Sequence, residues 1–414
     1  MIGDKTMEFK ILVLAIVLLK GIYSIILNLF ERKSAKNPIP ENVSDVYDEE
    51  TYSKWKSYQA EHSGLDLISD IVSLVIALVL LITNVYSAFA SLFPAGYFWQ
   101  VISVVLLETL VDTFVGIIFS YRSTMVIEQK YGFNKSTLKT FVVDKIRGFI
   151  VSLLLGLFLA FLIMGLHLSF GDAVIIFFTV AMFLFSLLIS FLYPILSRVG
   201  NKFTPLEEGE LRTKLSELLT SHGYKVKDIQ VMDASRRTTK LNAYFSGLGS
   251  TKTIVLYDNL VNAMDTDEIC AVFAHELGHG IHKDVPKLQV LNIVNMLLMA
   301  VAVWISVREG GLHTAFGFEG VNYGFAYILT GVFISLIQPL TSMFINAVSR
   351  RAEYRADAQA VSEGYGQPMV SALKKLAKEN FAELAPTKVS VLLKYSHPPL
   401  SERISAIEKK LDKD

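Results

Sequence analysis

Seven apolar runs, each close to the length of a bilayer-spanning helix, constrain this chain more than any other feature. They lie near residues 9–30, 65–92, 98–120, 149–170, 173–196, 288–307 and 323–346. An α-helix needs about 20 apolar residues to cross the hydrocarbon core of a membrane. The 414 residues are also 52% hydrophobic and only 19% charged, with a mean hydropathy of +0.44, which is too apolar for a soluble protein. The sequence therefore predicts a mainly α, polytopic membrane protein with seven transmembrane helices.

Lysine and arginine are unevenly divided among the loops between these runs. The loops after the second and fourth runs carry none, and the loop after the sixth carries only Arg308. The loops after the first and third runs carry Arg32, Lys33, Lys36, Lys54, Lys56, Arg122, Lys130, Lys135, Lys139, Lys145 and Arg147. Because basic loops are retained in the cytoplasm, the pattern predicts an outside N-terminus and an inside C-terminus. Lys5 and Lys10 oppose this orientation weakly.

Two more polar segments, residues 197–287 and 347–414, would form a cytoplasmic domain. The first contains a helical leucine pattern and then short β-rich stretches, which predict a small sheet. We expect the chain to divide into four parts. Residues 1–196 would form transmembrane helices 1–5 with their loops, and residues 288–346 would form transmembrane helices 6–7. Residues 197–287 and 347–414 would form the cytoplasmic domain.

Net charge and cysteine content exclude some classes of function. The chain has 39 basic and 39 acidic residues, so no overall field would attract nucleic acid. The single cysteine, Cys270, excludes an internal disulfide and a cysteine-rich metal cluster. We expect Cys270 to be a small buried hydrophobic residue.

The segment AVFAHELGHG, residues 271–280, carries the pattern of a zinc site. On a helix, His275 and His279 lie on one face about 5–6 Å apart. Both imidazoles can then bind one ion, and Glu276 can reach a water beside it. The preceding sequence predicts such a helix, with Asp265 or Thr266 as its N-cap. The alternative is two core or surface histidines that happen to be four residues apart.

A catalytic zinc site needs a third protein ligand, and NAVSRRAEYRADAQA, residues 346–360, offers one. Glu353 could be the ligand. Asp357, one turn later on the same face, could accept a hydrogen bond from the second nitrogen of a ligating histidine. The alternative is a solvated helix of alternating charges.

Several longer segments resemble one family. The chain is similar to the Ste24 family, the type I CAAX prenyl proteases, which are integral-membrane zinc metalloproteases of peptidase family M48. The similarity runs from about residue 100 to 405 and is weak before residue 90. It rests on VIEQKYGFNKSTLKTFVVDKIRG, NKFTPLEEGELRTKLSELL, VMDASRRTTKLNAYFSGLGSTKTIVLYDNL, HELGH, SRRAEYRADAQA and SHPPLSERI, in the family's order.

The resemblance implies roles for individual residues. It implies one Zn²⁺ per chain with the ligands His275, His279 and Glu353, and Glu276 as general base and acid. His397 and Arg403 would act near the scissile carbonyl. The segment Asn242, Ala243, Tyr244 and Phe245 would hold substrate as an edge strand, although Asn242 could equally be an ordinary turn residue.

The family fold also accounts for ionisable residues inside the apolar runs. It implies seven helices around an internal water-filled chamber, closed by a cytoplasmic zincin-type metalloprotease domain with a small β-sheet. Lys20, Glu108, Asp112 and His167 could line the chamber wall, because charged groups in spans tend to face a cavity. Glu108 and Asp112 share one helix face, and interhelical hydrogen bonding is the alternative for them.

The resemblance also implies peptide or protein substrates that are membrane-associated or lipidated, such as prenylated CAAX tails or misfolded membrane proteins. Gly280 stands where eukaryotic members usually have tryptophan, which favours a prokaryotic inner membrane over the endoplasmic reticulum.

Two alternatives remain: a transporter or channel, and a catalytically silent membrane scaffold or chaperone. A transporter would not need HELGH, and a silent member would be expected to have lost a ligand or the base.

Overall fold

The apolar runs form long helices. The computed structural model describes residues 2–196, 198, 201–223, 228–246 and 253–413. Among these residues, six stretches are long and apolar enough to cross a membrane: Lys5–Ser34, Glu49–Ile82, Tyr97–Glu128, Leu138–Leu192, Asp284–Arg308 and Tyr323–Ser362. The fourth stretch, 55 residues long, contains two helices. The count of seven crossing helices depends on counting these two separately and stays a prediction.

Helices dominate the described residues, as the sequence predicts. The α-helices are α1 (Ile2–Ser34), α2 (Glu49–Ile82), α3 (Val85–Ala90), α4 (Tyr97–Ser120), α5 (Leu138–Phe170), α6 (Val174–Leu196), α7 (Glu210–Ser221), α8 (Asp258–Ala263), α9 (Thr266–Ile281), α10 (Asp284–Arg308), α11 (Gly310–Thr314), α12 (Tyr323–Ser362), α13 (Gly366–Glu379), α14 (Lys388–Leu393) and α15 (Leu400–Leu411). A π-helical segment, Tyr121–Glu128, continues α4.

The second apolar run, residues 65–92, is not one helix. The helix α2 begins much earlier, where the Asp48 side chain accepts a hydrogen bond from the Thr51 amide. It ends at Ile82 because Asn84 adopts a left-handed conformation with φ of 57°, and the short α3 follows. Hydropathy marks the part of a helix that can lie in lipid, whereas caps and left-handed residues mark its ends.

A tight turn joins the helices that the fourth and fifth runs form. Gly171, with φ of 53°, ends α5, and a 3₁₀ turn at Gly171–Ala173 leads into α6. Asp172 in this turn accepts a hydrogen bond of 2.8 Å from Trp304 Nε1 and lies 3.4 Å from Arg308 Nη1. The α5–α6 connection is thereby tied to the end of α10.

Two apolar clusters hold the bundle together. One joins α1, α4 and α12 through fully buried residues such as Val13, Val104 and Phe325. The other joins α4, α5, α6, α10 and α12, with Ala160 and Val303 at its centre. The helix α12 contributes to both clusters. Its 40 residues span about 60 Å at 1.5 Å per residue, twice the roughly 30 Å hydrocarbon core.

A four-stranded mixed sheet forms, as predicted, in the polar segment after α6. Its strands are β1 (Phe203–Pro205), β2 (Asp228–Met232), β3 (Ala243–Ser246) and β4 (Thr253–Tyr257), in the order β1-β2-β4-β3. β2 and β4 are parallel, and the two outer pairs are antiparallel. Ile254, Leu256 and Phe273 belong to the core between the sheet and α9. Burying a side chain of this kind contributes about 1.5–3 kcal/mol.

The loop after α1 and the start of α2 pack on the C-terminal part of the chain. Trp55, 2% exposed, donates to the Phe381 carbonyl, and Asn42 donates to the Ser401 carbonyl. The N-terminal and C-terminal ends of the chain therefore share one core. The expected division into four parts at residues 196, 287 and 346 stays a prediction, and residue 197 lies outside the described residues.

Candidate metal centre

The HELGH segment lies on α9, whose start is fixed by a reciprocal cap. The Asp265 side chain accepts from the Glu268 amide at 2.9 Å, and Glu268 Oε2 accepts from the Asp265 amide at 3.0 Å. Of the two predicted N-caps, Asp265 is the correct one. Burial raises the pKa of Glu268, but hydrogen bonds from Lys375 and Ser371 outweigh it and lower the pKa below its usual value. Glu268 thus stays charged at this cap.

A glycine allows α9 to pack closely against α12. A Cβ placed on Gly278 would lie 3.0 Å from Ala356 Cα and 3.0 Å from Gln359 Cβ. These contacts are closer than side chains normally make, so the two helices can meet at this distance because residue 278 is glycine. The close approach brings the α12 turn that carries Glu353 beside the two histidines.

The three predicted ligands meet at one point. Their candidate ligand atoms all lie within 4.8 Å of one another. Glu353 Oε2 lies 3.6 Å from His275 Nε2, and Glu353 Oε1 lies 3.3 Å from His279 Nε2. Glu353 and His275 are 4% and 6% exposed, so the cluster is shielded from solvent on most sides.

A carboxylate engages the other nitrogen of each histidine. His275 Nδ1 lies 2.8 Å from Asp357 Oδ1, the residue that the sequence suggested for this contact. His279 Nδ1 lies 3.1 Å from Asp284 Oδ2, a contact that the sequence did not suggest. With Nδ1 donating to a carboxylate, each imidazole can offer Nε2, on the side that faces Glu353, to a metal ion.

These residues fit a divalent metal ion. Glu353 Oε2 is buried and makes no hydrogen bond among the described residues, although Arg403 Nη1 lies 3.4 Å away. A bound metal ion would complete the pairing of this buried charge. Burial lowers the pKa of His279, but hydrogen bonds to Glu353 and Asp284 outweigh it and raise the pKa to about 9. The centre therefore attracts positive charge. Two imidazole nitrogens and one carboxylate form a donor set typical of catalytic zinc sites.

Glu276 follows His275 directly on α9. Its side chain is partly buried, and it lies close enough to His279 and Arg403 to affect both electrostatically. No hydrogen bond or ion pair from the described residues engages its carboxylate. A carboxylate in this position can accept a proton from a water molecule beside the histidines.

His397 and Arg403 both reach the cluster, in different ways. His397 Nε2 lies 3.4 Å from Glu353 Oε1, and its side chain is 63% exposed. The Arg403 side chain is 11% exposed and donates to both oxygens of Asp357 at 2.9 and 2.6 Å. The guanidinium is mainly committed to Asp357, whereas the imidazole of His397 faces the open side of the cluster.

The predicted substrate strand is an edge strand. β3 pairs with β4 on one side, and no described strand pairs with its other side. Asn242 precedes the strand, is exposed, and accepts a hydrogen bond from Tyr257 N through its carbonyl. Ala243 and Tyr244 are partly buried, while the side chain of Phe245 lies outside the described residues. β3 packs against α9, the helix that carries both histidines.

The ionisable residues of the bundle lie apart from this cluster. Glu108 and Asp112 both line two cavities of about 370 and 480 Å³, and Lys20 lines the first. Glu108 also accepts a hydrogen bond from the Tyr86 hydroxyl. It therefore lines a cavity and also forms a hydrogen bond between helices, the two roles considered for it from the sequence. His167 Nδ1 lies 2.9 Å from the Tyr323 hydroxyl and is not among the residues lining these two cavities.

Two family models match the chain in succession. Residues 28–198 match the CAAX prenyl protease N-terminal model, described as five membrane helices. Residues 205–411 match peptidase family M48. Together they cover nearly all of the chain, including both halves of the metal centre.

Individual relatives match over nearly their full length. The CAAX prenyl protease 1 homolog of Arabidopsis thaliana is 32% identical over 94% of this chain and 94% of its own. CAAX prenyl protease 1 of Saccharomyces cerevisiae is 29% identical over 91% of this chain and 90% of its own. The crystal structure of S. mikatae Ste24p superposes with a TM-score of 0.89 at 26% identity, covering 97% of this chain and 99% of that one.

Proposed function

Because this chain belongs to the CAAX prenyl protease 1 (Ste24) family within peptidase family M48, we propose that its catalytic metal is one zinc ion per chain. The protein is a multi-pass integral-membrane metalloprotease. The transporter and scaffold alternatives have no support from these relatives. The proposals below concern the metal, the residues that act, the substrate and the orientation in the membrane.

The observation that carries the zinc proposal is the convergence of His275, His279 and Glu353. Their ligand atoms lie within 4.8 Å of one another, and the Nε2 atoms face a buried carboxylate. When bound, zinc supplies a Lewis acid that polarises a peptide carbonyl and makes water more acidic. The two histidines and Glu353 would hold it and leave one side open to substrate.

Glu276 would move the proton. Its carboxylate accepts a proton from the attacking water and passes it to the leaving amine nitrogen, so that one group serves as base and then as acid. Its partly buried position beside His275 supports this role, and so does the lack of a competing hydrogen bond within the described structure.

His397 is the better candidate for stabilising the oxyanion. Its Nε2 lies at the open side of the cluster, 3.4 Å from Glu353, and can donate a hydrogen bond to the developing negative charge. Arg403 would act mainly through Asp357, since its guanidinium donates to both oxygens of that carboxylate. It would hold Asp357 and thereby the tautomer of His275.

The segment from Asn242 to Phe245 would bind an extended substrate by adding a strand to the sheet. Main-chain hydrogen bonds to the edge of β3 with which no described strand pairs would provide affinity that does not depend on substrate side chains. The contact of β3 with α9 supports placing the scissile bond beside Glu276.

We further propose that the metal centre faces the cytoplasm. Both lysine-rich loops contact the polar part of the chain: Asn37 donates to the Ala385 carbonyl, and Lys135 N donates to the Arg237 carbonyl. Since basic loops remain cytoplasmic, the domain that they contact would lie on the same side. A prokaryotic inner membrane or an endoplasmic reticulum membrane would satisfy this topology.

Zinc content and a single substitution test the catalytic proposal. We expect about one zinc per chain, by analogy with other catalytic zinc sites, in detergent-purified wild type and in Glu276→Gln. Peptide cleavage should fall by at least about 100-fold in Glu276→Gln, since general-base catalysis contributes about 10²–10⁴-fold. The same change at the exposed Glu217 on α7 serves as the control. Zinc-free wild type, or equal cleavage by Glu276→Gln, would falsify the proposal.

Membrane-associated or lipidated proteins are the proposed substrates, either prenylated CAAX tails or misfolded membrane proteins. Matched farnesylated and unmodified CAAX peptides distinguish the two. A strong preference for the farnesylated peptide supports prenyl processing. Equal cleavage supports membrane-protein quality control.

A further inference from the structure

We propose that Asp284, held by Arg355, is a positioning residue for the metal ligand His279. This inference rests on the zinc site proposed above. It assigns a role to a residue that begins the helix α10 and lies outside the HELGH motif.

The two histidines have matching supports. His275 Nδ1 contacts Asp357, which Arg403 holds at 2.6 Å. His279 Nδ1 contacts Asp284 Oδ2 at 3.1 Å, and Arg355 Nη2 donates to Asp284 Oδ1 at 2.6 Å. Each imidazole thus belongs to a histidine–aspartate–arginine chain, although the two aspartates come from different helices.

The turn between α9 and α10 brings Asp284 back to the histidine. Lys283 adopts a left-handed conformation with φ of 54° and ψ of 41°. The chain changes direction at this residue, between the end of α9 and the start of α10. Asp284 is consequently 3% exposed although it lies at a helix junction. A side chain five residues after His279 on a continuous helix would not share its face.

Asp284 is held by a specific partner. Arg355 lies on α12, midway between Glu353 and Asp357, and its Nη2 is within hydrogen-bond distance of Asp284. The other nearby cation, Lys287, is 4.0 Å away and 58% exposed. A buried carboxylate without a close cation would be costly. Arg355 therefore allows Asp284 to remain charged and to accept a hydrogen bond from Nδ1–H of His279.

The chemical consequence is a fixed orientation of His279. When Nδ1 donates to Asp284, the lone pair of Nε2 points toward Glu353 and is available to a metal ion. Such outer contacts increase the basicity of the ligand, and their loss typically lowers metal affinity by about 10–100-fold. Asp284 also connects the ligand to the first residue of a membrane-spanning helix.

Zinc affinity of the full-length protein in detergent tests this role. Competition with a chromogenic chelator measures the dissociation constant for zinc in wild type, Asp284→Ala and Arg355→Gln. We expect affinity to fall about 10–100-fold in Asp284→Ala and by less in Arg355→Gln. Lys287→Ala is the matched control and should bind zinc as wild type does. The visible spectrum of the cobalt-loaded protein should change in the first two variants alone.

The outcomes separate this inference from the proposed function. If wild type binds no zinc, the proposed metal site itself fails. If wild type binds zinc and Asp284→Ala binds it equally tightly with an unchanged cobalt spectrum, only the role of Asp284 fails. Should Asp284→Ala not fold, Arg355→Gln decides, because wild-type affinity in that variant contradicts a supporting role for Arg355.

Discussion

Acidic residues lie at the metal centre and inside the helix bundle, and their surroundings differ. Those of the metal centre are buried, whereas Glu108 is partly buried and Asp112 is exposed. At the metal centre, Glu353 and Asp357 are 4% and 1% exposed and lie among histidines and arginines within about hydrogen-bond distance. In the bundle, Glu108 accepts one hydrogen bond from Tyr86. Asp112 has no hydrogen bond from the described residues, and both acids face cavities.

The difference indicates that acidic side chains are stabilised in two ways in this protein. At the metal centre, each charge is fixed by several neighbours, because ligand geometry must be accurate to well under an ångström. In the bundle, charges next to a cavity can be solvated by water instead of by protein groups. The bundle acids therefore support a hydrated interior, as the family fold implies.

Glycines show the same contrast. Gly278 lies where a Cβ would approach the α12 backbone to 3.0 Å. Gly116 and Gly148 line the second cavity, and a Cβ on either would meet nothing within 4 Å. Packing is close where the ligands meet and open where the bundle encloses space.

The largest effect should follow from Glu353→Gln. Glutamine keeps the shape of the side chain but removes the charge that lies between the two histidines. We expect zinc affinity to fall by more than the roughly 100-fold typical of losing an outer contact, and cleavage to be lost. Zinc content by elemental analysis checks this. Retention of zinc at wild-type affinity would show that the three residues do not form the binding site.

A smaller effect is expected from Gly278→Val. The new side chain would push α9 away from α12, and overpacking of this kind typically costs about 1–3 kcal/mol. Thermal unfolding in detergent and zinc affinity should both decrease. Gly148→Val introduces the same side chain beside a cavity and should change neither property. If both substitutions lowered thermal stability and zinc affinity equally, packing would not differ between the metal centre and the bundle cavity.

The smallest effect should come from Glu108→Gln and Asp112→Asn. Neither residue contacts the metal centre, and distant sites contribute nearly independently. Zinc content should be unchanged, and cleavage of a short soluble peptide should stay within about twofold of wild type. Loss of zinc in either variant would contradict the separation of the two regions.

Part of the centre was predictable because it depends on local helical geometry. The spacing of His275 and His279 and the shared face of Glu353 and Asp357 follow from 3.6 residues per turn. The cap at Asp265 follows from the preference for a side-chain acceptor at the start of a helix. The geometry agrees with each of these predictions, whereas the catalytic and binding roles of the residues stay predictions.

Other features depend on how distant segments meet. Asp284 was missed because it contacts His279 only through the left-handed turn at Lys283, which no hydrophobic pattern marks. The early start of α2 was missed because its first turns are polar. The commitment of Arg403 to Asp357 could not be foreseen, since it depends on how α15 packs against α12.

The helix α12 has a consequence for the order in which the centre assembles. His275 and His279 leave the ribosome well before Glu353, and α10 and most of α12 lie between them in the chain. Glu353, the proposed third ligand, is synthesised only after α10 and most of α12. The nascent chain consequently lacks the complete proposed metal centre until most of its last long apolar helix has been made.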